Sequence, residues 1–112
     1  MVMPGRQKFR ARKCVIHGIT FDSKKEALRY LVLKNKLDSG EISDLKLQYM
    51  YQVVVNEVKV AKYYADFVYK NKEGVEIIED VKSTATAKDK YYRLKKRLVE
   101  AALGIKITEI LA

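Results

Sequence analysis

Asp66, Asp80, Lys82 and Glu26 are the residues whose types and spacing point to chemistry in this chain. Asp66 and Asp80 flank the turn-forming run Lys70-Asn71-Lys72-Glu73-Gly74. With Lys72-Glu73-Gly74 as a three-residue hairpin loop and Gly74 left-handed, Asn71 pairs with Val75 and the register sets Asp66 opposite Asp80. Like charges so opposed, with β-carbons about 5 Å apart, destabilise a sheet unless a cation stands between them. A divalent ion such as Mg²⁺ or Mn²⁺ would do so, since hard ions take carboxylate oxygens and leave positions for water and phosphate. Alternation along a strand puts Lys82 on the face of Asp80 and turns Glu79 and Val81 the other way. An ammonium there can orient water and offset charge developing on pentavalent phosphorus, which is the chemistry of phosphodiester cleavage.

Glu26 supplies a third acid. Tyr30, Leu33 and Leu37 continue its stripe at helical spacing, so it ends a largely apolar, inward-facing surface. A capping box with Ser23 is the competing account of the same residue. Acid-any-lysine also occurs at Asp22 to Lys24, Asp44 to Lys46 and Glu57 to Lys59, so context alone selects Asp80. It follows the apolar Val75-to-Ile78 stretch, precedes a Ser/Thr-rich loop and has a strand-borne aspartate upstream. The competing arrangement makes Asp66 and Asp80 surface ion-pair partners of Lys62 and Lys82.

These residues need elements to hold them. Ser23 as N-cap and Ser39-Gly40 as terminator predict a helix from about Lys24 to Leu37. Leu45 to Tyr49 and Gln52 to Val55 predict one long or broken strand, Val58 to Tyr69 a second and Val75 to Val81 a third. Ser83 to Thr86 is expected as a loop. Tyr91, Leu94, Leu98 and Ala101 or Ala102 then recur at helical spacing, predicting a helix over Ala87 to Leu103 with that stripe facing the core. Gly104 caps it, and Ile105 to Leu111 is a last strand. Helix, three strands, helix, strand is an α/β order, a mixed sheet flanked by helices, with the final strand free to pair in parallel after its helical crossover.

The 112 residues suffice for one core, expected over residues 14–112 behind a flexible basic arm at residues 1–13. The net charge of +9 is local: residues 1–13 carry five basic residues and no acid, and residues 82–97 carry seven against Asp89 alone. Two basic segments on a near-neutral body suit a polyanion, because each phosphate neutralised releases condensed counterions. Cys14 is the single cysteine, so no internal disulfide forms, and His17 is the single histidine, so one chain cannot build a two-histidine metal site. No apolar run approaches the roughly 20 residues that span a bilayer. A cytoplasmic protein without membrane association is expected.

The blocks Gly18-Ile19-Thr20-Phe21-Asp22-Ser23-Lys24-Lys25-Glu26-Ala27, Tyr64-Ala65-Asp66-Phe67 and Glu79-Asp80-Val81-Lys82-Ser83 resemble the PD-(D/E)xK nuclease superfamily. Within it they are similar to small phage and prophage proteins described as Holliday junction resolvase-like or of unknown function. The resemblance runs from about Val15 to Ile110 and implies a restriction-endonuclease-like core. By that resemblance Asp66 is the first metal-binding aspartate, Asp80 the second acid, Lys82 the motif lysine and Glu26 the helix-borne glutamate of resolvase-like branches. Ala65 stands where the motif has proline, and Glu79 places a second acid beside Asp80. The implied activity is metal-dependent DNA endonuclease cleavage, with Mg²⁺ or Mn²⁺ on Asp66, Asp80, Glu26 and the Val81 carbonyl. Thr84, Thr86, Lys88 and Lys90 are expected to hold the flanking backbone, and Arg93, Lys95, Lys96 and Arg97 to add non-specific phosphate contacts. A branched DNA such as the four-way junction, cut by a homodimer, is the expected substrate. A nickase or end-processing nuclease on the same core, and a non-catalytic basic DNA-binding protein, are the alternatives.

Overall fold

The computed structural model describes residues 13–112; the basic arm expected over residues 1–13 lies outside them except for Lys13. Cys14–Ile16 (β1) and Ile19–Phe21 (β2) form a small antiparallel hairpin, turning through His17 and Gly18 at positive φ. Strands of three residues are too short to show a period, so the sequence pattern did not reveal them. Ser23 then caps Lys24–Asp38 (α1), its hydroxyl accepting the Glu26 N–H, and the helix buries Glu26, Ala27, Tyr30 and Leu33 as the stripe predicts.

Ser43–Val55 (β3), Val58–Lys70 (β4) and Glu76–Lys82 (β5) form an antiparallel meander. Ile107–Leu111 (β6) joins parallel to β5, giving a mixed four-stranded sheet in the order β3-β4-β5-β6. The β4–β5 loop closes as expected: Asn71 N–H donates to the Val75 carbonyl at 3.0 Å, Gly74 N–H to the Asn71 carbonyl at 2.9 Å, and Gly74 has φ +79°. The β4–β5 ladder runs from Lys70↔Glu76 to Phe67↔Glu79 and stops. Beyond Phe67, β4 pairs with β3 alone, and the two strands leave the sheet as a twisted arm.

Each face of the sheet has its own core. Phe21, Ala27, Tyr30, Leu33, Phe67 and Tyr69 pack on the α1 side, with Ile77 and Val81 against them. Val53, Tyr63, Ala65, Val68, Ile78, Val99 and Ile107 pack on the other. Ala65 and Phe67 have the same parity yet lie in different cores, so strand alternation slips at Asp66. Each large side chain fully buried here contributes about 1.5–3 kcal/mol.

Two expectations for the crossover fail. Thr84–Lys88 (α2) is a short helix, not a loop, because the Ser83 hydroxyl accepts the Thr86 N–H and starts a turn there. Asp89, extended at φ −64° and ψ 129°, ends it and caps Lys90–Leu103 (α3) by accepting the Tyr92 N–H, which divides the single helix expected over Ala87 to Leu103. The stripe assigned to the core also faces out: Tyr91 is 80%, Leu94 64% and Leu98 42% exposed, while Val99 is 1%. Tyr92, Lys96, Val99 and Leu103 satisfy the helical period equally well, and the lysine stem and half-buried tyrosine supply the apolar cover. Gly104 at φ 66° closes the helix as predicted.

Candidate active site

The site forms where β4 and β5 part. The Asp66 N–H donates to Asp80 Oδ1 at 3.2 Å and the Val81 N–H donates to Asp66 Oδ2 at 2.9 Å. Each aspartate thus offers its carboxylate to a backbone N–H across the gap, replacing the ladder bond that the divergence removes. Asp80, 2% exposed, also accepts the buried Tyr63 hydroxyl on Oδ2 at 2.6 Å. Burial and the adjacent Asp80 push the Tyr63 hydroxyl up, so it stays a donor.

Glu26 reaches the same place from α1. Ser23 accepts its N–H, but its carboxylate is taken by Gln48, whose Nε2 donates to Glu26 Oε2 at 2.8 Å and to Asp66 Oδ1 at 3.1 Å. The helix cap therefore accounts for the Glu26 backbone, not its side chain. Gln48 sits opposite Asp66 with φ +48° inside β3, a conformation that non-glycine residues rarely adopt. One amide nitrogen bridges a buried acid, Glu26, and a half-buried one, Asp66.

The electrostatics agree with that crowding. Desolvation, then Asp66 and Asp22, raises the Glu26 carboxyl to about 7. Desolvation also raises Asp66; the Val81 N–H opposes this, Asp80 adds to it, and Lys82 offsets part of both shifts. Among the described residues no three His, Cys, Asp or Glu side chains stand arranged to hold a metal ion, and each oxygen of Asp66 and Asp80 accepts a hydrogen bond from within the protein. The donor chemistry is of the kind a hard divalent ion takes. It is all carboxylate oxygen, it carries raised acids, and the positive end of the Gln48 amide already bridges two of them.

Lys82 shares the face of Asp80, with its ammonium 5.1 Å from the centre of the Tyr92 ring. Among the described residues neither Asp66 nor Asp80 pairs with Lys62 or Lys82, so the surface ion-pair arrangement does not form. Glu79 points the other way. Arg29 grips it from Nε to Oε1 at 2.8 Å and from Nη2 to Oε2 at 2.6 Å, and the Tyr69 hydroxyl donates to Oε2. Val81, expected to bring its carbonyl, enters through its N–H to Asp66 while its side chain packs on the α1 side.

The residues expected to hold a backbone are dispersed. Thr84, Thr86, Lys88, Lys90 and Arg93 are exposed along α2 and the start of α3. Lys96 is half-buried and bound to Glu109 at 3.1 Å, a carboxylate partner that competes with any phosphate. Gln48, Tyr63 and Tyr92 were missed from the sequence. A strand pattern predicts inward and outward faces, but nothing in it distinguishes Gln48 from Gln52 or foresees the slip that turns Tyr63 toward Asp80.

Residues 6–109 match the sequence model of the DUF1064 family, described as a protein of unknown function. The match takes in nearly the whole chain, which belongs to that family. No curated protein matches it.

Proposed function

We propose that this member of the DUF1064 family is a metal-dependent DNA endonuclease of the PD-(D/E)xK kind, using Mg²⁺ or Mn²⁺ held by Glu26, Asp66 and Asp80. The observation that supports this best is the run of contacts at the parting of β4 and β5, from Glu26 through Gln48 to Asp66 and from Asp66 to Asp80, with Lys82 near Glu26 and Asp66. When bound, the ion supplies Lewis-acid polarisation of phosphate and water. The chain supplies the rest. Tyr63 and the Asp66 N–H fix the rotamer of Asp80, and the Val81 N–H fixes that of Asp66, so the acids are oriented before substrate arrives. Gln48 yields its place between Glu26 and Asp66. Lys82 orients the attacking water and offsets charge on the phosphorus. Thr84, Thr86, Lys88, Lys90 and Arg93 hold the flanking backbone; Lys96 does so only by leaving Glu109.

The substrate proposed is branched DNA, the four-way junction, cut symmetrically in the cytoplasm by a homodimer whose two-fold axis matches that of the junction. Cleavage of labelled four-way junction, duplex and single-stranded DNA in Mg²⁺, Mn²⁺ or EDTA, with Asp80→Ala and Asp66→Ala alongside, tests this. Paired symmetric cuts confined to the junction, lost in both variants and in EDTA, are the expected result. Cutting of other DNA keeps the nuclease and discards the junction. Salt-sensitive binding indifferent to metal, with no cutting, replaces the reading with a DNA-binding protein.

A further inference from the structure

The parting of β4 from β5 creates a cleft as well as a site. Its walls are the arm, with Lys62, Tyr63 and Tyr64, and α3, with Tyr92 and Lys95; Val99 and Ile107 form an apolar floor, and Asp80 and Lys82 of β5 stand at its edge. The volume is about 200 Å³, below the roughly 300–1,000 Å³ of pockets that enclose drug-sized molecules, so it takes one unit of a polymer rather than a duplex.

Charge and surface narrow the occupant. Lys62, Lys82, Lys95 and Lys96 line the cleft against one acid, Asp80, and among the described residues only Lys96 has a carboxylate partner, Glu109. Lys62 and Lys95 line the cleft from different elements, and among the described residues neither has a carboxylate partner within salt-bridge distance. Tyr64 is 52% exposed at the wall, a ring available for stacking. The Tyr92 hydroxyl is buried beside Glu109 and Asp80, so the ring and not the hydroxyl is what the cleft presents. An ammonium-lined cavity with aromatic walls suits a phosphorylated nucleoside.

We infer that this cleft is a subsite for one nucleotide of the strand being cut, its phosphate between Lys62 and Lys95 and its base or sugar against Tyr64 and Tyr92. The inference rests on the proposed function, since it is the presence of Asp80 and Lys82 in the lining that joins the subsite to the scissile bond. Two lysines outside the proposed catalytic machinery give the test: Lys62→Gln with Lys95→Gln. The control removes Lys70 and Lys72, exposed at the far end of β4 and in its loop.

Titrations run in EDTA, with thermal melts confirming that both double variants fold. The probes are thymidine 5′-monophosphate, thymidine and a labelled oligothymidylate. Wild type is expected to bind the monophosphate, and thymidine at least about 10-fold more weakly, the scale of one charge-assisted contact. The cleft variant should lose about 10-fold for both monophosphate and oligonucleotide, and for the oligonucleotide its slope of log affinity against log salt should fall by about 0.7, the value for one phosphate no longer neutralised. The control should change each affinity less than about twofold, as expected of lysines that touch no phosphate. Equal monophosphate affinity in the cleft variant and wild type overturns the subsite. So does loss of the monophosphate with oligonucleotide affinity unchanged, which marks a free-nucleotide site. Because no cleavage is read, a protein that binds as described yet never cuts DNA defeats the nuclease reading and leaves the cleft a strand-binding subsite.

Discussion

Glu79 and Asp80 are consecutive acids in β5, 1% and 2% exposed, and the sheet sends them to opposite faces. On the α1 face, the Arg29 fork and the Tyr69 hydroxyl meet both Glu79 oxygens, and the charge is cancelled where it lies. Across the sheet, Asp80 is held by a tyrosine hydroxyl and a backbone N–H, neither carrying formal charge, with Asp66 beside it. Burial alone therefore does not mark a functional acid. A buried acid with a matched cation belongs to the frame, and a buried acid bonded only to neutral donors beside another acid is the candidate for function.

Exchange of roles between the two neighbours would break this contrast. Asp80→Ala should lower DNA cleavage by about 1,000-fold, near 4 kcal/mol of barrier, and urea unfolding should show that it still folds cooperatively. Glu79→Ala should leave Arg29 and Tyr69 without their partner and lower the unfolding free energy by about 3–5 kcal/mol in the same urea experiment. If Glu79→Ala proves harmless while Asp80→Ala unfolds the chain, the assignment of frame and site is reversed.

The pH dependence sharpens the comparison. Glu26 is raised from an ordinary 4.5 to about 7, so between those values the folded protein binds more protons than the unfolded chain. In EDTA, stability should be greatest below about 4.5 with respect to this group and fall as pH rises toward about 7. Glu26→Gln should flatten that decline in thermal melts. Mg²⁺ should raise the melting temperature of wild type at pH 8 and do so less in the variant; no metal effect at any pH would remove Glu26 from the ion's ligands. The smallest expected effect belongs to Tyr91→Ser, at most about 0.5 kcal/mol in urea unfolding, because that ring is 80% exposed and no longer counts as core.

What could be read from the sequence was local and periodic. Asn71 to Gly74 specify the hairpin, the hairpin sets the register, and alternation separates Asp80 and Lys82 from Glu79. Glu26 was legible because a charge at the end of an apolar helical stripe needs a partner. What escaped depends on departures from period. Gln48 and Asp66 face each other where β3 and β4 are irregular, and the parting of β4 from β5, which makes the cleft, has no signature in residue type. On α3 the period was right and the phase wrong, since Tyr91, Leu94, Leu98 and Tyr92, Lys96, Val99 are both helical stripes and only docking on the sheet chooses between them.

The three-residue loop at Asn71 also orders events in time. Asp66 and Asp80 lie on strands that such a loop closes directly, whereas β6 reaches β5 only after two helices have been laid across the sheet. Closure entropy grows with the length of chain enclosed, so the hairpin forms early and the β5–β6 pairing late. The acids consequently meet in a partly folded chain, before α3 has docked to make the cleft they border. Their like charges then oppose an early step of folding, and stopped-flow refolding should be slower at a pH where both are ionised than in Asp66→Asn, where one charge is gone.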